Sequence, residues 1–64
     1  MKQRELIRNR RIEKGLTEIQ VAQFAGITQG AYSHIESGRR NPSIKVAKRL
    51  AKVLEMDWTE FFGD

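Results

Sequence analysis

Apolar residues recur every three or four positions along the chain, in short runs separated by Gly, Pro and small polar residues. No segment alternates between apolar and polar residues for long enough to indicate a strand. The pattern therefore predicts an all-α protein. The clearest run predicts one helical face made of Ile44, Ala47, Leu50, Ala51 and Leu54.

Helix start and stop signals divide the chain into five helical segments. The first extends from about Gln3 to Lys14 and is followed by Gly15, which suits a left-handed cap. Residues 17–20 (Thr-Glu-Ile-Gln) have the form of a capping box, in which two side chains bond backbone N–H groups. Gly26 and Gly38 end the second and third segments. The predicted N-caps of the four later segments are Thr17, Thr28, Ser43 and Asp57.

Tertiary packing has to hold these segments together, because helices this short are unstable alone. We expect residues 1–64 to form a single domain, which at this size buries only about 60% of its unfolded surface. An exposed large aromatic residue near the end of the chain would indicate a contact between subunits. The predicted core is Leu6, Ile7, Leu16, Val21, Ile27, Tyr32, Ile35, Leu50, Leu54, Trp58 and Phe61.

Charge is distributed in blocks along the chain, whose net charge is +4. Residues 1–14 carry +4, residues 15–38 carry −2, residues 39–52 carry +6 and residues 53–64 carry −4. The basic balance favours an anionic partner. The central block contains no Lys or Arg, so the residues that would neutralise an anion flank it on both sides.

Several classes of protein are disfavoured by the composition. The chain has no cysteine and a single histidine, His34, so thiolate or clustered metal sites are not expected. No apolar run approaches the roughly 18 residues of a membrane span, and the first residues lack the apolar core of a secretory signal. We expect a cytoplasmic protein with no membrane association, metal or cofactor.

Catalysis is also disfavoured, and no catalytic residue is predicted. Ser33 and His34 are neighbours on one helix and so point about 100° apart. No carboxylate pair or glycine-rich phosphate loop accompanies them.

The connection between the second and third segments consists of about three residues, 25–27 (Ala-Gly-Ile). Gly26 can adopt the positive φ that lets two helices meet at a steep angle, and the small Ala22 faces their junction. A cap, a small residue, a glycine turn and a second cap at this spacing are typical of a helix-turn-helix. An ordinary antiparallel helix pair in a small bundle fits the same spacing.

The sequence resembles the Cro/repressor-type helix-turn-helix family, also called the xenobiotic-response-element (XRE) family. The resemblance extends from about Leu6 to Phe62 and implies a compact, lambda-repressor-like bundle of five helices. It also implies a transcriptional regulator that dimerises on pseudo-palindromic double-stranded DNA, with the third helix in the major groove. The matching residues are Arg11, Gly15-Leu16-Thr17, Val21-Ala22, Gly26-Ile27-Thr28, Ile35-Glu36, Gly38, Pro42-Ser43 and Leu54.

The resemblance also assigns roles to individual residues. Base-reading positions fall on Gln29, Gly30, Ser33 and His34. Predicted phosphate contacts are Thr17, Gln23, Thr28, Tyr32, Ser37, Arg39 and Arg40. Arg11 and Glu36 match a structural salt bridge, and the predicted dimer contacts are Trp58, Phe61 and Phe62.

Neutral and cationic side chains have different roles at a DNA interface, and this difference explains the charge blocks. Neutral hydrogen-bonding groups read base edges, whereas Lys and Arg mainly neutralise phosphates and set the register of the protein on the duplex. Gln29 is the strongest base-reading candidate, because its amide matches the N6 and N7 groups of adenine.

Residue 18 departs from the family pattern, which usually has Gln just after the cap of the second helix. Glu18 suits the positive end of a helix dipole but would repel a nearby phosphate. Two functions therefore stay open. The first is a sequence-specific DNA-binding regulator, most simply a dimeric repressor. The second is a protein-interaction module, such as an antitoxin-like partner, for which DNA is secondary.

Overall fold

The computed structural model describes residues 3–62 and contains four α-helices and one short 3-10 helix in that range. The helices are α1 (Gln3–Glu13), α2 (Glu18–Ala25), α3 (Gln29–Glu36) and α4 (Ile44–Leu54), followed by the 3-10 helix Trp58–Phe61. The all-α class is confirmed, but the expected fifth α-helix is wrong. Its four residues form bonds of the i to i+3 type, such as that from Phe62 N–H to the Thr59 carbonyl at 3.1 Å.

Side-chain caps begin the later helices where the sequence predicts them. The Thr17 hydroxyl accepts from the Gln20 N–H at 3.1 Å, and the Gln20 side chain accepts from the Thr17 N–H at 2.9 Å, which completes the capping box. Thr28 caps α3 by accepting from the Ala31 N–H at 3.1 Å. Ser43 caps α4, and Asp57 caps the 3-10 helix, in the same manner. These bonds satisfy N–H groups that have no partner within the helix.

The hydrophobic core lies where the four α-helices and the 3-10 helix meet. The predicted core residues Leu6, Leu16, Ile27 and Trp58 are only half-buried. The last three of them pack against the edge of the core. Ile44, which the apolar pattern places on the inner face of α4, is 57% exposed because it lies at the first turn, before α4 enters the bundle. The buried core consists of Ile7, Val21, Ala22, Ala25, Tyr32, Ile35, Ala47, Leu50, Ala51, Leu54 and Phe61.

The α3 helix packs against two other helices of the bundle, α1 and α2. The α2 helix packs against both α3 and α4, and α1 packs against α3, α4 and the 3-10 helix. The outer side of α3 is left uncovered within the described residues, because its buried residues are confined to Tyr32 and Ile35. Within residues 3–62, no helix is both long enough and apolar enough to cross a membrane.

Candidate nucleic-acid interface

The turn between α2 and α3 is a tight, glycine-dependent connection. Gly26 adopts φ +73°, in the left-handed region that favours glycine. The Ile27 N–H then donates to the Ala22 carbonyl at 3.0 Å, which closes the end of α2 before α3 begins. Ala22 is 2% exposed at this junction, as the spacing predicts for a small residue. The two helices therefore form a helix-turn-helix.

Three of the four predicted base-reading residues lie on the exposed side of α3. Gln29, Gly30 and His34 are exposed, and Ser33 is half-buried. Tyr32, which lies between them in sequence, and Ile35, which follows His34, are buried. The exposed residues of α3 carry no Lys, Arg, Asp or Glu, so the helix presents a polar and uncharged side to solvent. This arrangement provides hydrogen-bonding groups without fixed charge.

Two arginines follow directly after the uncharged side of α3. The backbone N–H groups of Arg39 and Arg40 both donate to the His34 carbonyl, at 2.9 and 3.2 Å. These bonds fix the chain where α3 ends, and both arginine side chains are exposed. A pair of cations is thereby placed just beyond the end of α3, where it can neutralise an anion bound to the uncharged side.

The other predicted phosphate contacts divide into exposed residues and one buried residue. Thr17, Gln23, Thr28 and Ser37 are exposed. Tyr32 is 0% exposed, and its hydroxyl donates to Glu36 Oε1 at 2.9 Å. The phosphate role predicted for Tyr32 is therefore wrong, because the side chain points into the core and its hydroxyl is already used there.

The predicted salt bridge between α1 and α3 is present. Arg11 Nε donates to Glu36 Oε1 at 2.7 Å, and Arg11 Nη2 approaches Glu36 Oε2 at 3.4 Å. The two side chains are only 14% and 9% exposed. Arg11 Nη1 also donates to the Leu16 carbonyl at 2.9 Å, so one guanidinium joins α1, the loop before α2 and the end of α3.

Hydrogen bonding keeps Glu36 ionised despite its burial. Burial alone would raise the Glu36 pKa, but hydrogen bonds from Arg11, Glu18 and Tyr32 outweigh it and lower the pKa. The pKa of Arg11 is raised, chiefly by its hydrogen bond to Glu36. Burial, and then the bond to Glu36, raise the pKa of the Tyr32 hydroxyl, so it stays protonated as a donor.

Glu18 belongs to this cluster, which the sequence did not predict. Its pKa is raised, first because its protonated form can donate to Glu36 and next because it is partly buried. The Gln29 side chain acts in the opposite sense, since its hydrogen bond lowers the Glu18 pKa. Residues 18 and 36 are far apart in sequence and follow no shared motif, so no local signal could have revealed their proximity.

The predicted dimer contacts are only partly at the surface. Phe61 is 3% exposed and belongs to the core, so the contact role predicted for it is wrong. Trp58 is half-buried and meets Phe62 edge-to-face, with 6.2 Å between the ring centroids. Phe62 is 47% exposed. Lys48 Nζ lies 5.1 Å from the centre of the Trp58 ring, which connects this aromatic pair to α4.

Within residues 3–62, no group of three or more His, Asp or Glu side chains is arranged so that it could hold a metal ion. A shallow cleft between α3 and α4 is lined mainly by apolar side chains, with Arg40 at its edge. Ile27, Ile35, Pro42 and Val46 contribute to its walls.

Comparison with known proteins agrees with this geometry. A family model described as helix-turn-helix matches residues 7–61. The chain belongs to this helix-turn-helix family. The family, of the XRE type, comprises DNA-binding transcriptional regulators rather than enzymes. No solved structure gives a significant match.

Relatives of the helix-turn-helix chain include regulators from bacteria and an archaeon. It is 43% identical over 61 residues to the uncharacterized HTH-type transcriptional regulator YqaF of Bacillus subtilis, covering 95% of this chain and 80% of the relative. An uncharacterized HTH-type transcriptional regulator of Methanothermobacter thermautotrophicus is 39% identical, with 89% and 83% covered. The HTH-type transcriptional regulator PuuR of Escherichia coli is 33% identical over 54 residues, which span 84% of this chain but 29% of PuuR.

Proposed function

We propose that this protein is a dimeric transcriptional repressor that binds a pseudo-palindromic operator with α3 in the major groove. The observation that carries the proposal is the uncharged exposed side of α3, followed at once by Arg39 and Arg40. Base edges are distinguished by hydrogen bonds, and phosphates are held by cations, so this order of residues suits a duplex that is read by sequence. The protein would act in the cytoplasm, where its operator lies.

The residues that would contact base edges are Gln29, Ser33 and His34. Of these, Gln29 would discriminate most strongly between bases. Gly30 would allow the backbone of α3 to come close to the duplex. Arg39 and Arg40 would bind phosphates beyond the end of α3. Further phosphate contacts would come from the exposed polar residues Thr17, Gln23, Thr28 and Ser37.

The dimer would form through the aromatic pair at the end of the chain. Phe62 is 47% exposed and rests against Trp58, and Ile44 is 57% exposed one turn before Lys48, which covers the Trp58 ring. Residues four apart lie on the same side of a helix, so Ile44 and Lys48 border one surface. Contact between two copies here would remove this apolar surface from water.

Selection of duplexes from a random pool tests this function. We expect a consensus with two-fold symmetry, whose half-sites lie about 34–36 Å apart, and affinity that falls steeply as salt rises. Equal affinity for a single half-site and for the full palindrome would contradict the dimer. Phe62→Ser should weaken binding to the palindrome while leaving binding to a half-site unchanged.

A protein partner is a second candidate function, favoured by apolar residues outside the aromatic pair. On α2, Phe24 is 66% exposed and Ile19 is 50% exposed. An antitoxin-like partner or adaptor would cover such residues. Under this alternative the purified protein would bind selected and scrambled duplexes equally, and Phe24→Ser would abolish capture of the partner protein.

A further inference from the structure

The shallow cleft between α3 and α4 is large enough for one small molecule. Its volume is about 140 Å³. An apolar cavity of about 150 Å³ accommodates a single benzene molecule, so the cleft has room for one aromatic ring. Its walls come from the turn before α3, from α3, from the loop that follows and from α4. The apolar residues that line it are Ile27, Ala31, Ile35, Pro42 and Val46.

Arg40 and Ser43 supply the cleft with hydrogen-bond donors. Arg40 lies at its edge with an exposed side chain, and no Asp or Glu lines the cleft within residues 3–62. The Ser43 hydroxyl oxygen accepts from the Val46 N–H at 3.2 Å, which leaves the hydroxyl hydrogen to donate elsewhere. A guanidinium and a hydroxyl beside apolar walls are complementary to an apolar molecule that carries a carboxylate.

We propose that this cleft binds a small aromatic monocarboxylate, about the size of benzoate, and that the bound ligand weakens the hold of the protein on DNA. The aromatic ring would occupy the apolar part of the cleft and so leave water. The carboxylate would pair with Arg40, whose planar guanidinium matches the geometry of a carboxylate. The effect on DNA rests on the proposed function, whereas binding of the carboxylate does not.

Arg40 connects the cleft to the DNA-binding surface, because the same guanidinium is the proposed phosphate contact beyond α3. A carboxylate paired with Arg40 cancels its charge and occupies N–H groups that would otherwise donate to phosphate. Ala31 gives a second connection, since it lines the cleft from α3 and lies between Gly30 and Ser33 in sequence. Ligand and duplex therefore weaken each other's binding by the same factor, and the ligand acts as an inducer.

Titration of the protein without DNA tests the binding, with benzoate, benzamide and benzamidine as probes of similar size and different charge. Benzoate should shift the amide NMR signals of Ala31 and Val46 and bind about 5-fold more tightly than benzamide, with benzamidine weakest. Val46→Phe places a ring in the cleft and should abolish benzoate binding. Val53→Phe is the matched control, since Val53 is half-buried on the same helix outside the cleft, and it should bind benzoate like the wild type.

Titration of a selected duplex at constant ionic strength tests the effect on DNA. Saturating benzoate should weaken binding by the wild type about 5-fold or more and leave binding by Val46→Phe unchanged. Equal binding of benzoate and benzamide, benzoate binding by Val46→Phe, or an unchanged duplex affinity of the wild type would each overturn the proposal. Failure of the wild type to enrich any duplex would instead overturn the proposed function, and the titration without DNA would still decide whether the cleft binds the carboxylate.

Discussion

Arg11 Nε donates to Glu36 Oε1 at 2.7 Å and joins the end of α1 to the end of α3. Tyr32 donates to the same oxygen at 2.9 Å from one turn earlier in α3. The bond from Tyr32 lies within α3 and holds the Glu36 carboxylate in place. The bond from Arg11 reaches α3 from α1 and so fixes the rotation of α3 about its own axis. Gln29, Gly30 and His34 therefore face solvent.

Glu36→Ala should destabilise the protein by about 3 kcal/mol, because it leaves the largely buried Arg11 charge and the Tyr32 hydroxyl without their acceptor. The free energy of unfolding from urea titration measures this. Such a loss is a large part of the stability of so small a domain. Glu55→Gln is the matched control, since Glu55 pairs with Lys14 at 2.8 Å but is 73% exposed. A similar shift in the urea midpoint for both variants would contradict a special role for Glu36.

Glu18→Gln should make the protein more stable at pH 7 and have a smaller effect at pH 4. The raised pKa of Glu18 means that the folded protein holds this proton more tightly than the unfolded chain. Ionisation of Glu18 therefore costs stability as the pH rises above 4.5, the ordinary pKa of the carboxyl. Urea titrations at pH 7 and pH 4 measure the free energy of unfolding of both proteins. An equal change in this free energy at the two pH values would contradict the prediction.

Gly30→Ala should separate stability from DNA binding. A Cβ at residue 30 would meet nothing within 4 Å, so Ala should stabilise α3 by about 0.5–1 kcal/mol. If the backbone of α3 approaches the duplex closely, the same methyl group should weaken DNA binding. Thermal unfolding and duplex titration measure the two effects. A variant that is more stable and binds DNA normally would exclude a role for Gly30 in close approach.

Gly26→Ala provides a contrast at the turn. A Cβ there would lie 3.5 Å from Arg49 Nη1, which is ordinary contact, so the cost arises from the backbone φ of +73°. We expect a destabilisation of about 1–2 kcal/mol, measured by urea titration. A neutral effect would mean that the turn can relax out of the left-handed region.

Gln29→Ala and Arg39→Ala should affect DNA binding in different ways. Loss of Gln29 should cost about 1–3 kcal/mol on the selected duplex and relax preference at one or two base pairs. Loss of Arg39 should weaken binding to all duplexes about equally. It should also reduce the salt dependence of the affinity by about one released counterion. Salt-dependent titrations on selected and scrambled duplexes distinguish the two. If both variants changed affinity and salt dependence in the same way, the roles of reading bases and neutralising phosphates would not belong to separate residues.

Local signals account for the parts of the fold that the sequence predicts. Thr17, Thr28, Ser43 and Asp57 each cap a helix through a bond to an N–H two or three residues later, so the evidence lies within a few residues. The Gly26 turn is equally local. The Arg11–Glu36 pair spans 25 residues and was found only through family resemblance.

Tertiary packing decides the features that the sequence missed. Phe61 and Phe62 are adjacent and chemically identical, yet only Phe61 reaches the core, because the 3-10 helix turns it inward. On α2, Val21, Ala22 and Ala25 are buried against the bundle, whereas the equally apolar Ile19 is 50% exposed. Interactions between residues far apart in sequence, such as that of Glu18 with Glu36, cannot be predicted from the spacing of apolar residues.

The most direct test of the account is the affinity of the purified protein for a duplex selected from a random pool, compared with a scrambled duplex at physiological salt. The account predicts at least a roughly 10³-fold preference for the selected duplex. Gln29→Ala should remove only the part of this preference that its own base pair provides, about 1–3 kcal/mol. Equal affinity for the two duplexes would contradict the claim that the uncharged side of α3 reads DNA sequence.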